Sequence, residues 1–254
     1  MAKLTRYIAS LDLYQSSTLD SITSNPDLPG PESYGARIDG LGGKEFTLAV
    51  AGASNLVAGN LLQEPAENTG LENAAVATAA VVGQPYLNIT NGSTTITSAA
   101  YAGGSIGFYT AGTVPIGDEY TIINVTGTLT NAGSMNVWLD RPLRYAVTTS
   151  ATVVMKPSPY NGVIQMPATT PTGAAIGIAI WPITATYMGY IQTRGVASVL
   201  SDGSTFAVGS AVGTPSGTAG AVTVYAAATT KQAIGVAREA AASAHAISVN
   251  LTGF

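Results

Sequence analysis

Side chains able to do acid–base or nucleophilic chemistry are scarce in this chain of 254 residues. It has one histidine, His245, and no cysteine, which excludes thiolate nucleophiles and zinc–thiolate sites. Asp118 and Glu119 are adjacent, and because neighbouring residues of a strand point to opposite faces they make no catalytic pair. No nucleophile turn accompanies His245, so we interpret it as structural. The sequence therefore predicts that the protein is not an enzyme.

The sequence also lacks the motifs that bind cofactors and metals. It contains no G-x-G-x-x-G, P-loop, H-E-x-x-H or EF-hand pattern. Glu64, Glu67 and Glu72 form the densest acidic group, but a calcium site needs about six converging oxygen ligands. We interpret these glutamates as a hydrated surface, and we expect no cofactor and no bound metal.

Two arginines are candidates for contacts with another protein. Arg141 and Arg144 flank Pro142 and Leu143, directly after Asp140. A guanidinium makes two parallel hydrogen bonds to a carboxylate, so this pair is suited to clamp an acidic residue of a neighbouring subunit. A local pair between Asp140 and one of the arginines is the alternative interpretation.

A group of aromatic residues gives a second candidate contact. Trp181, Tyr187 and Tyr190 follow one another closely in an uncharged part of the chain. Such rings could line a sugar-binding face, but core packing or a subunit contact is the interpretation that we favour. Tyr187 and Tyr190 are three residues apart, so on a strand they point to opposite faces, which weakens a common stacking platform.

The distribution of charge points towards contact with other proteins. Charged residues make up 9% of the chain, against about 25% in typical soluble domains. None occurs from 73 to 117 or from 157 to 193. Small neutral side chains lose little entropy and hydration on burial, so a surface of Thr, Ser, Ala and Gly suits protein neighbours. A secreted β-protein with a hydroxyl-rich face is the alternative.

The net charge and the apolar segments limit the other partners. The net charge of −4 argues against a nucleic-acid partner, which requires a face dense in Lys and Arg. No uninterrupted apolar run reaches the length of about 18 residues that a membrane helix needs. The start MAKLTRYIASLDL has no long apolar region, so we expect synthesis in the cytoplasm and no membrane partner.

The first 45 residues differ from the remainder. They contain the proline-rich run from 25 to 31 and the glycine-rich run from 40 to 43, and both types of residue oppose regular structure. We predict an extended N-terminal arm over 1–45, with apolar anchors for a neighbouring subunit at Tyr7, Leu11, Leu13 and Tyr14. A strand that returns to its own domain remains the alternative.

The remainder of the chain predicts an all-β fold. Short runs of alternating β-branched and polar residues recur every eight to twelve residues, which is typical of sandwiches and barrels. Asn91-Gly92 and Asp202-Gly203 are hairpin signatures. A Pro, Asn and Gly cluster at 157–162 predicts a boundary between two units. We therefore expect an extended arm followed by two small β-barrel or sandwich units, at 46–165 and 166–254.

Four pieces of the chain resemble one known family. They are MNVWLDRPLRYAVTTSATVVMKPSPYNGVI (135–164) with its P-x-P-Y-x-G-V exit, GIAIWPITATYMGYIQTRG (177–195), the Asp202-Gly203 turn and the ending QAIGVAREAAASAHAISVNLTGF (232–254). Their order and spacing are similar to those of head decoration (cement) proteins of tailed bacteriophages. The chain departs from the family pattern at Arg141-Pro142 and at Arg194, so no contact residue is transferred.

This resemblance implies a structural virion protein. Such proteins are rich in β-structure, bind the outer surface of an icosahedral head, commonly form trimers and bridge neighbouring capsomers. The expected partners are the major capsid protein and other copies of this chain, and the expected location is the outer capsid surface. A carbohydrate-binding or adhesin β-module on a fibre or a cell surface is the alternative function.

Overall fold

A computed structural model describes residues 34–92, 95–110, 117–226, 231–241 and 246–253. Within these ranges the chain is all-β, as the sequence predicts. The regular elements other than strands are a four-residue helix, α1 (Ser98–Tyr101), and short 3-10 turns at Leu41–Gly43 and Thr69–Leu71. No helix of the described residues is long and apolar enough to cross a membrane.

The chain forms two compact units, and one is inserted into the other. Residues 67–158 make the inserted unit, and 34–66 together with 159–254 make the discontinuous one. The inserted unit contains β4 (Ala74–Thr78), β5 (Tyr86–Thr90), β6 (Ser105–Thr110), β7 (Glu119–Gly127), β8 (Ser134–Leu139) and β9 (Thr152–Lys156). These strands close into a barrel in the order β4-β5-β8-β7-β6-β9, which we call the inserted barrel.

Alternation of side chains builds the inserted barrel. In β8, Met135, Val137 and Leu139 are buried, whereas Ser134 and Trp138 are exposed. Because successive residues of a strand point to opposite faces, this period of two sends one set into the barrel and the other to solvent. The other strands contribute in the same way to a single buried cluster that includes Leu87, Ile89, Tyr120, Ile122 and Val153.

The described residues of the discontinuous unit form ten strands, three of them only two or three residues long. They are β1 (Arg37–Gly40), β2 (Lys44–Ala51), β3 (Leu61–Gln63), β10 (Asn161–Gln165), β11 (Ala175–Ala179), β12 (Met188–Leu200), β13 (Ala211–Gly213), β14 (Thr223–Val224), β15 (Ala233–Ala237) and β16 (Ala246–Leu251). Strands β2, β10, β3, β11 and the first half of β12 pair in sequence, and β12 returns to β2. These pairings close a five-stranded circuit, which we call the first ring.

A second ring follows with the same connections. The second half of β12 pairs with β16, then β16 with β15, β15 with β13 and β13 with β14. A parallel bridge between Ser201 and Val222 brings the end of β12 to the start of β14 and completes the circuit. The first ring is likewise completed by a parallel pairing, that of β2 with β10.

The two rings repeat the same strand arrangement, which we call the duplication. Residues 175–195 (AIGIAIWPITATYMGYIQTRG) and 233–253 (AIGVAREAAASAHAISVNLTG) correspond without a gap and form the last two strands of each ring. The register agrees as well, since Ile178 lies opposite Gln192 in one ring and Val236 lies opposite Asn250 in the other. In the first ring the chain from β3 to β10 includes the inserted barrel, whereas in the second ring a connection of nine residues, 214–222, joins β13 to β14.

Both rings and the inserted barrel also contain a tight turn preceded by an isolated β-bridge, which we call the bridged turn. In each, a residue just before a tight turn exchanges both backbone hydrogen bonds with a residue on the facing segment: Leu56 with Ile183, Ala80 with Val147, and Phe206 with Ala241. The turns that follow Leu56, Ala80 and Phe206 have glycines at their tips. These are Gly59, Gly83 and Gly209, and their φ angles are 82°, 88° and 83°. Positive φ carries little steric cost for glycine, which explains its place in all three turns.

The observed units differ from the expected division into 1–45, 46–165 and 166–254. Strand β2 lies at the start of the predicted first domain, yet it pairs with β12, more than 130 residues further along the chain. The predicted boundary near 165 lies inside the first ring, and the chain passes between the units at 66–67 and 158–159. The end of the predicted arm is strand β1, which pairs with β2, and residues 1–33 lie outside the described residues.

The turn at Asp202 gives a first testable prediction, on the pH dependence of stability. Burial raises the pKa of Asp202, but hydrogen bonds outweigh it and leave the pKa lowered: Oδ1 accepts from the Ser204 N–H at 3.0 Å and Oδ2 from the Ser216 hydroxyl at 3.2 Å. The ionised form is thus favoured by folding, and its contribution is complete above the ordinary carboxyl range and lost as the pH falls through the lowered pKa.

We expect Asp202→Asn to reduce the free energy of unfolding at pH 7 by about 1 kcal/mol, the net value of a hydrogen bond. The difference from the unmodified chain should shrink as the pH falls below the ordinary carboxyl range and through the lowered pKa of Asp202. Urea unfolding monitored by circular dichroism at several pH values measures it. A difference that stays constant down to pH 2 would contradict the assignment.

Candidate functional site

Arg141 makes a local cluster at the end of β8. Its Nη1 lies 3.2 Å from Oδ2 of Asp140, and its guanidinium carbon lies 4.6 Å above the centre of the Tyr120 ring. A further N–H donates to the carbonyl of Glu119. These contacts place Arg141 in the local pair that the sequence offered as the alternative to an intermolecular clamp. Because the pair is more than one-third exposed, we expect it to contribute little to stability.

Arg144 differs from Arg141, because only its backbone is engaged. Its N–H donates to the Tyr120 hydroxyl at 3.0 Å, and that hydroxyl in turn donates to Oδ2 of Asp118 at 2.6 Å. Burial and the hydrogen bond to Asp118 raise the pKa of Tyr120. The side chain of Arg144 is exposed, and no acidic group of the described residues pairs with it. It therefore remains the better candidate for a contact with another chain.

The structure separates the aromatic residues that the sequence grouped together. Tyr187 packs against the core of the first ring, and Tyr190 is half-buried on β12, where burial raises its pKa. Trp181 lies in the connection between β11 and β12 with 37% of its surface exposed. These positions give no common stacking platform. The remaining candidates, Tyr7, Leu11, Leu13 and Tyr14, lie outside the described residues, as does His245.

The acidic residues at the start of the inserted barrel form an ion pair with its last strand. Oε1 of Glu67 lies 2.9 Å from Nζ of Lys156, at the end of β9. The hydrogen bond from Lys156 lowers the pKa of Glu67, and a hydrogen bond shared with Glu67 raises the pKa of Glu72. Glu64 lies in the other unit and accepts from the N–H of Ala174. The described residues contain no group of three or more acidic, His or Cys side chains arranged to hold a metal.

The outer side of the inserted barrel carries an uncharged set of aromatic and amide side chains. We call it the neutral face and define it by Tyr86, Asn88, Asn124, Thr126, Asn136 and Trp138. The strand register places them in two rows: Tyr86, Trp138 and Asn124 lie side by side, and Asn88, Asn136 and Thr126 form the neighbouring row. Residues two apart on each strand thus line one surface.

The two rings of the neutral face are in contact. The centres of Tyr86 and Trp138 lie 5.0 Å apart with their planes tilted by 49°. The indole N–H of Trp138 donates to the Thr126 hydroxyl at 3.1 Å. This hydrogen bond fixes the ring against the sheet, although 37% of the Trp138 surface stays exposed. An exposed indole held in one orientation is suited to a ligand, because little side-chain entropy is lost on binding.

Sequence reasoning missed the neutral face, although a signal was present. Tyr86, Asn88 and Thr90 alternate with Leu87 and Ile89, and Asn136 and Trp138 alternate with buried residues in the same manner. The alternation predicts which side chains share a face within each strand. It does not predict that β5 and β8 are neighbours, since 43 residues separate the end of one from the start of the other.

Comparison of the chain with family models, with curated proteins and with solved structures finds no match.

Proposed function

We propose that this chain is a non-enzymatic structural protein that binds the outer surface of a bacteriophage capsid and stabilises it by bridging neighbouring capsomers. The observation that carries the proposal is a set of exposed valines at the tips of the bridged turns. Val57 and Val81 come directly after the bridging residue, and Val82 and Val208 come one place later; between 53% and 69% of their surface is exposed.

These valines are informative because of where they recur. A single exposed apolar residue is ordinary on a protein surface. Tight turns, however, favour Gly, Asn, Asp, Ser and Pro, and here a valine lies one or two residues after the bridging residue in both rings and in the inserted barrel. Apolar tips gain free energy when a partner protein covers them, at about 25 cal/mol per Å² of buried area. Several such contacts, repeated by the symmetry of a shell, add up to stable attachment.

The duplication shows that two of the segments that resemble decoration proteins are equivalent parts of the two rings. Two of the four pieces, 177–195 and 232–254, are the corresponding last two strands of the first and the second ring. The resemblance therefore rests twice on the same pair of strands. The proposed partners are the major capsid protein and other copies of the chain, with a homotrimer as the proposed state.

Removal of the N-terminal segment tests the proposal. Strand β1 begins at Arg37 and pairs with β2, so a deletion of 1–33 spares the described fold, whereas a deletion of 1–45 would remove β1 and the first residues of β2. We expect the chain lacking 1–33 to stay folded and to bind shells at least tenfold more weakly, because Tyr7, Leu11, Leu13 and Tyr14 are lost. Co-sedimentation with shells that lack this protein measures the binding.

The full chain is the reference in that experiment, with light scattering after size-exclusion chromatography to measure its oligomeric state. Saturable binding of the full chain to shells, at a fixed ratio to the capsid protein, would support the proposal. Failure of the full chain to bind any such shell would count against it. Equal binding by the two forms would show that residues 1–33 do not contribute to shell binding, and the exposed valines would remain as the proposed contact.

A further inference from the structure

We propose that the neutral face binds an uncharged glycan, a function separate from attachment to a shell. Trp138 and Tyr86 form the stacking platform, and the side-chain amides of Asn124 and Asn136 donate hydrogen bonds to sugar hydroxyls. The aromatic residues that the sequence suggested for this role, Trp181 and Tyr187, belong to the other unit and do not contribute.

The platform offers a sugar ring two adjacent aromatic rings whose planes are tilted by 49°, with 37% of the Trp138 surface exposed. The C–H groups on one side of a pyranose form an apolar patch, which packs on the face of an indole or phenol ring. Tyr86 and Trp138 are cross-strand neighbours, and their centres are 5.0 Å apart. Ile123, a bulged residue of β7 beside Trp138, extends the apolar area with 59% of its surface exposed.

Hydrogen-bonding groups around the platform are divided into satisfied and free ones. The Asn88 amide donates to Oδ1 of Asn136 at 2.7 Å and to the Met135 carbonyl, and its own Oδ1 accepts from Ser134 at 2.8 Å. The Asn88 side chain therefore serves to hold Asn136 in place. The Nδ2 group of Asn136 has no hydrogen-bond partner among the described residues, so it is free to donate outward.

Asn124 repeats this arrangement on the other side of Trp138. Its Oδ1 accepts from the Ser98 hydroxyl at 2.5 Å and from the N–H of Val125 at 2.9 Å, which fixes the amide. Its Nδ2 group and the Tyr86 hydroxyl have no partner within the described part of the chain. The platform is thus flanked by two free amide donors, on Asn124 of β7 and Asn136 of β8, and by the free hydroxyl of Tyr86 on β5. This pattern of a stacking ring beside fixed amides is the chemistry that recognises sugar hydroxyls.

The neutral face carries no charged side chain, which favours an uncharged ligand. No Asp, Glu, Lys or Arg occurs among the outward residues of β5 and β8. Asp140 and Arg141 lie just beyond the end of β8 and are paired with each other. A charged polysaccharide would find no counter-charge here, whereas a neutral glycan loses no ionic hydration on binding.

The composition of the face also argues against a protein partner at this place. The centres of protein interfaces are predominantly apolar, with the polar groups at the rim. On the neutral face, amides and hydroxyls lie directly beside the two rings, so the apolar centre is small. Those groups would need exact partners on another protein, since an unpaired buried amide costs about 1–3 kcal/mol.

Affinity electrophoresis of the full chain tests the proposal. The probes are gels that contain starch, mannan, galactan or a mixed-linkage β-glucan, with polygalacturonate as the charged comparison. We expect at least one neutral polysaccharide to retard the chain and polygalacturonate to have no effect. Trp138→Ala should weaken the retardation at least tenfold, and Asn136→Ala should weaken it several-fold. Trp181→Ala, the matched control, should behave as the unmodified chain.

Two further measurements keep the result interpretable. Circular dichroism and thermal unfolding verify that Trp138→Ala is folded, and Trp138→Phe, which retains a ring, should restore part of the retardation. The proposal is overturned if no neutral polysaccharide retards the chain, if polygalacturonate does so equally, or if Trp138→Ala is retarded like the unmodified chain. It is also overturned if Trp138→Ala alters the oligomeric state, because the face would then join copies of the chain. Shell binding is measured separately, so either proposal can fail alone.

Discussion

Replacing Gly235 by alanine should destabilise the second ring by about 3 kcal/mol, the upper part of the usual range for overpacking. Gly235 lies on β15, where an added Cβ would overlap the carbonyl oxygen of Asn250 on β16. The obstructing atom belongs to the backbone, so it cannot rotate away as a side chain can. Relief requires that β15 and β16 separate, which breaks their hydrogen bonds.

Urea unfolding monitored by circular dichroism measures this effect. Gly217→Ala is the matched control, because no atom of the described residues lies within 4 Å of its added Cβ, and its stability should change by no more than about 0.5 kcal/mol. The duplication extends the prediction to Gly177, the corresponding residue of the first ring, whose Cβ would lie 2.8 Å from the carbonyl oxygen of Gln192. Similar stability of the Gly235 and Gly217 variants would show that the strands separate at little cost.

Phe206→Ala should reduce the free energy of unfolding by about 3–5 kcal/mol. Only 2% of Phe206 is exposed, and its side chain packs in the core of the second ring. Its N–H also donates to the carbonyl of Ala241 at 2.7 Å in the bridged turn. The substitution removes the ring without a replacement, and the cavity left behind adds to the lost transfer free energy.

Val208→Ala is the control for Phe206→Ala. It changes a residue of the same turn, but 69% of Val208 is exposed, so we expect a change of stability within about 0.5 kcal/mol. Denaturant unfolding distinguishes the two variants directly. If both lost the same stability, the turn itself and not the buried ring would be the source. The Val208 variant also separates folding from attachment, since it should unfold normally yet bind shells more weakly.

The all-β class was predictable because it depends on local patterns. Alternation in Tyr86–Thr90 and in Ser134–Leu139 is visible in the sequence, and both segments are strands. The order of strands was not predictable in the same way. Strand β2 pairs with β10 and β12, which follow the inserted barrel of about ninety residues in the sequence. Nothing in the residues of β2 indicates that its partner strands are so distant along the chain. The predicted domain boundaries were wrong for this reason.

Two hairpin signatures were misread because glycine has more than one use. Asn91-Gly92 follows β5, but β5 pairs with β4 and β8. An added Cβ at Gly92 would overlap the backbone of Gly70, so close approach explains the glycine. Asp202-Gly203 joins β12 to β13, which are not paired with each other. Its Asp side chain holds the turn through Ser204 and Ser216 instead.

The candidate site was predictable only in part. The local pairing of Asp140 with Arg141 follows from their adjacency in sequence. The neutral face requires the register of β5, β8 and β7, because Tyr86, Trp138 and Asn124 come from three strands. The individual residues do not indicate that these three strands are neighbours. From the sequence, we therefore considered Trp181 for a sugar-binding face and gave Trp138 no role.

Strand β12 has a consequence for how the molecule resists force and heat. Its thirteen residues belong to both rings, and Leu61, Met166 and Ile178 of the first ring pack into the core of the second. Neither ring can lose its structure without opening the other, so the discontinuous unit should unfold in a single cooperative transition. A tension applied along β12 is opposed by β2 and β16 in shear, where many hydrogen bonds must break together. The inserted barrel carries its own core, and it is free to unfold as a separate step.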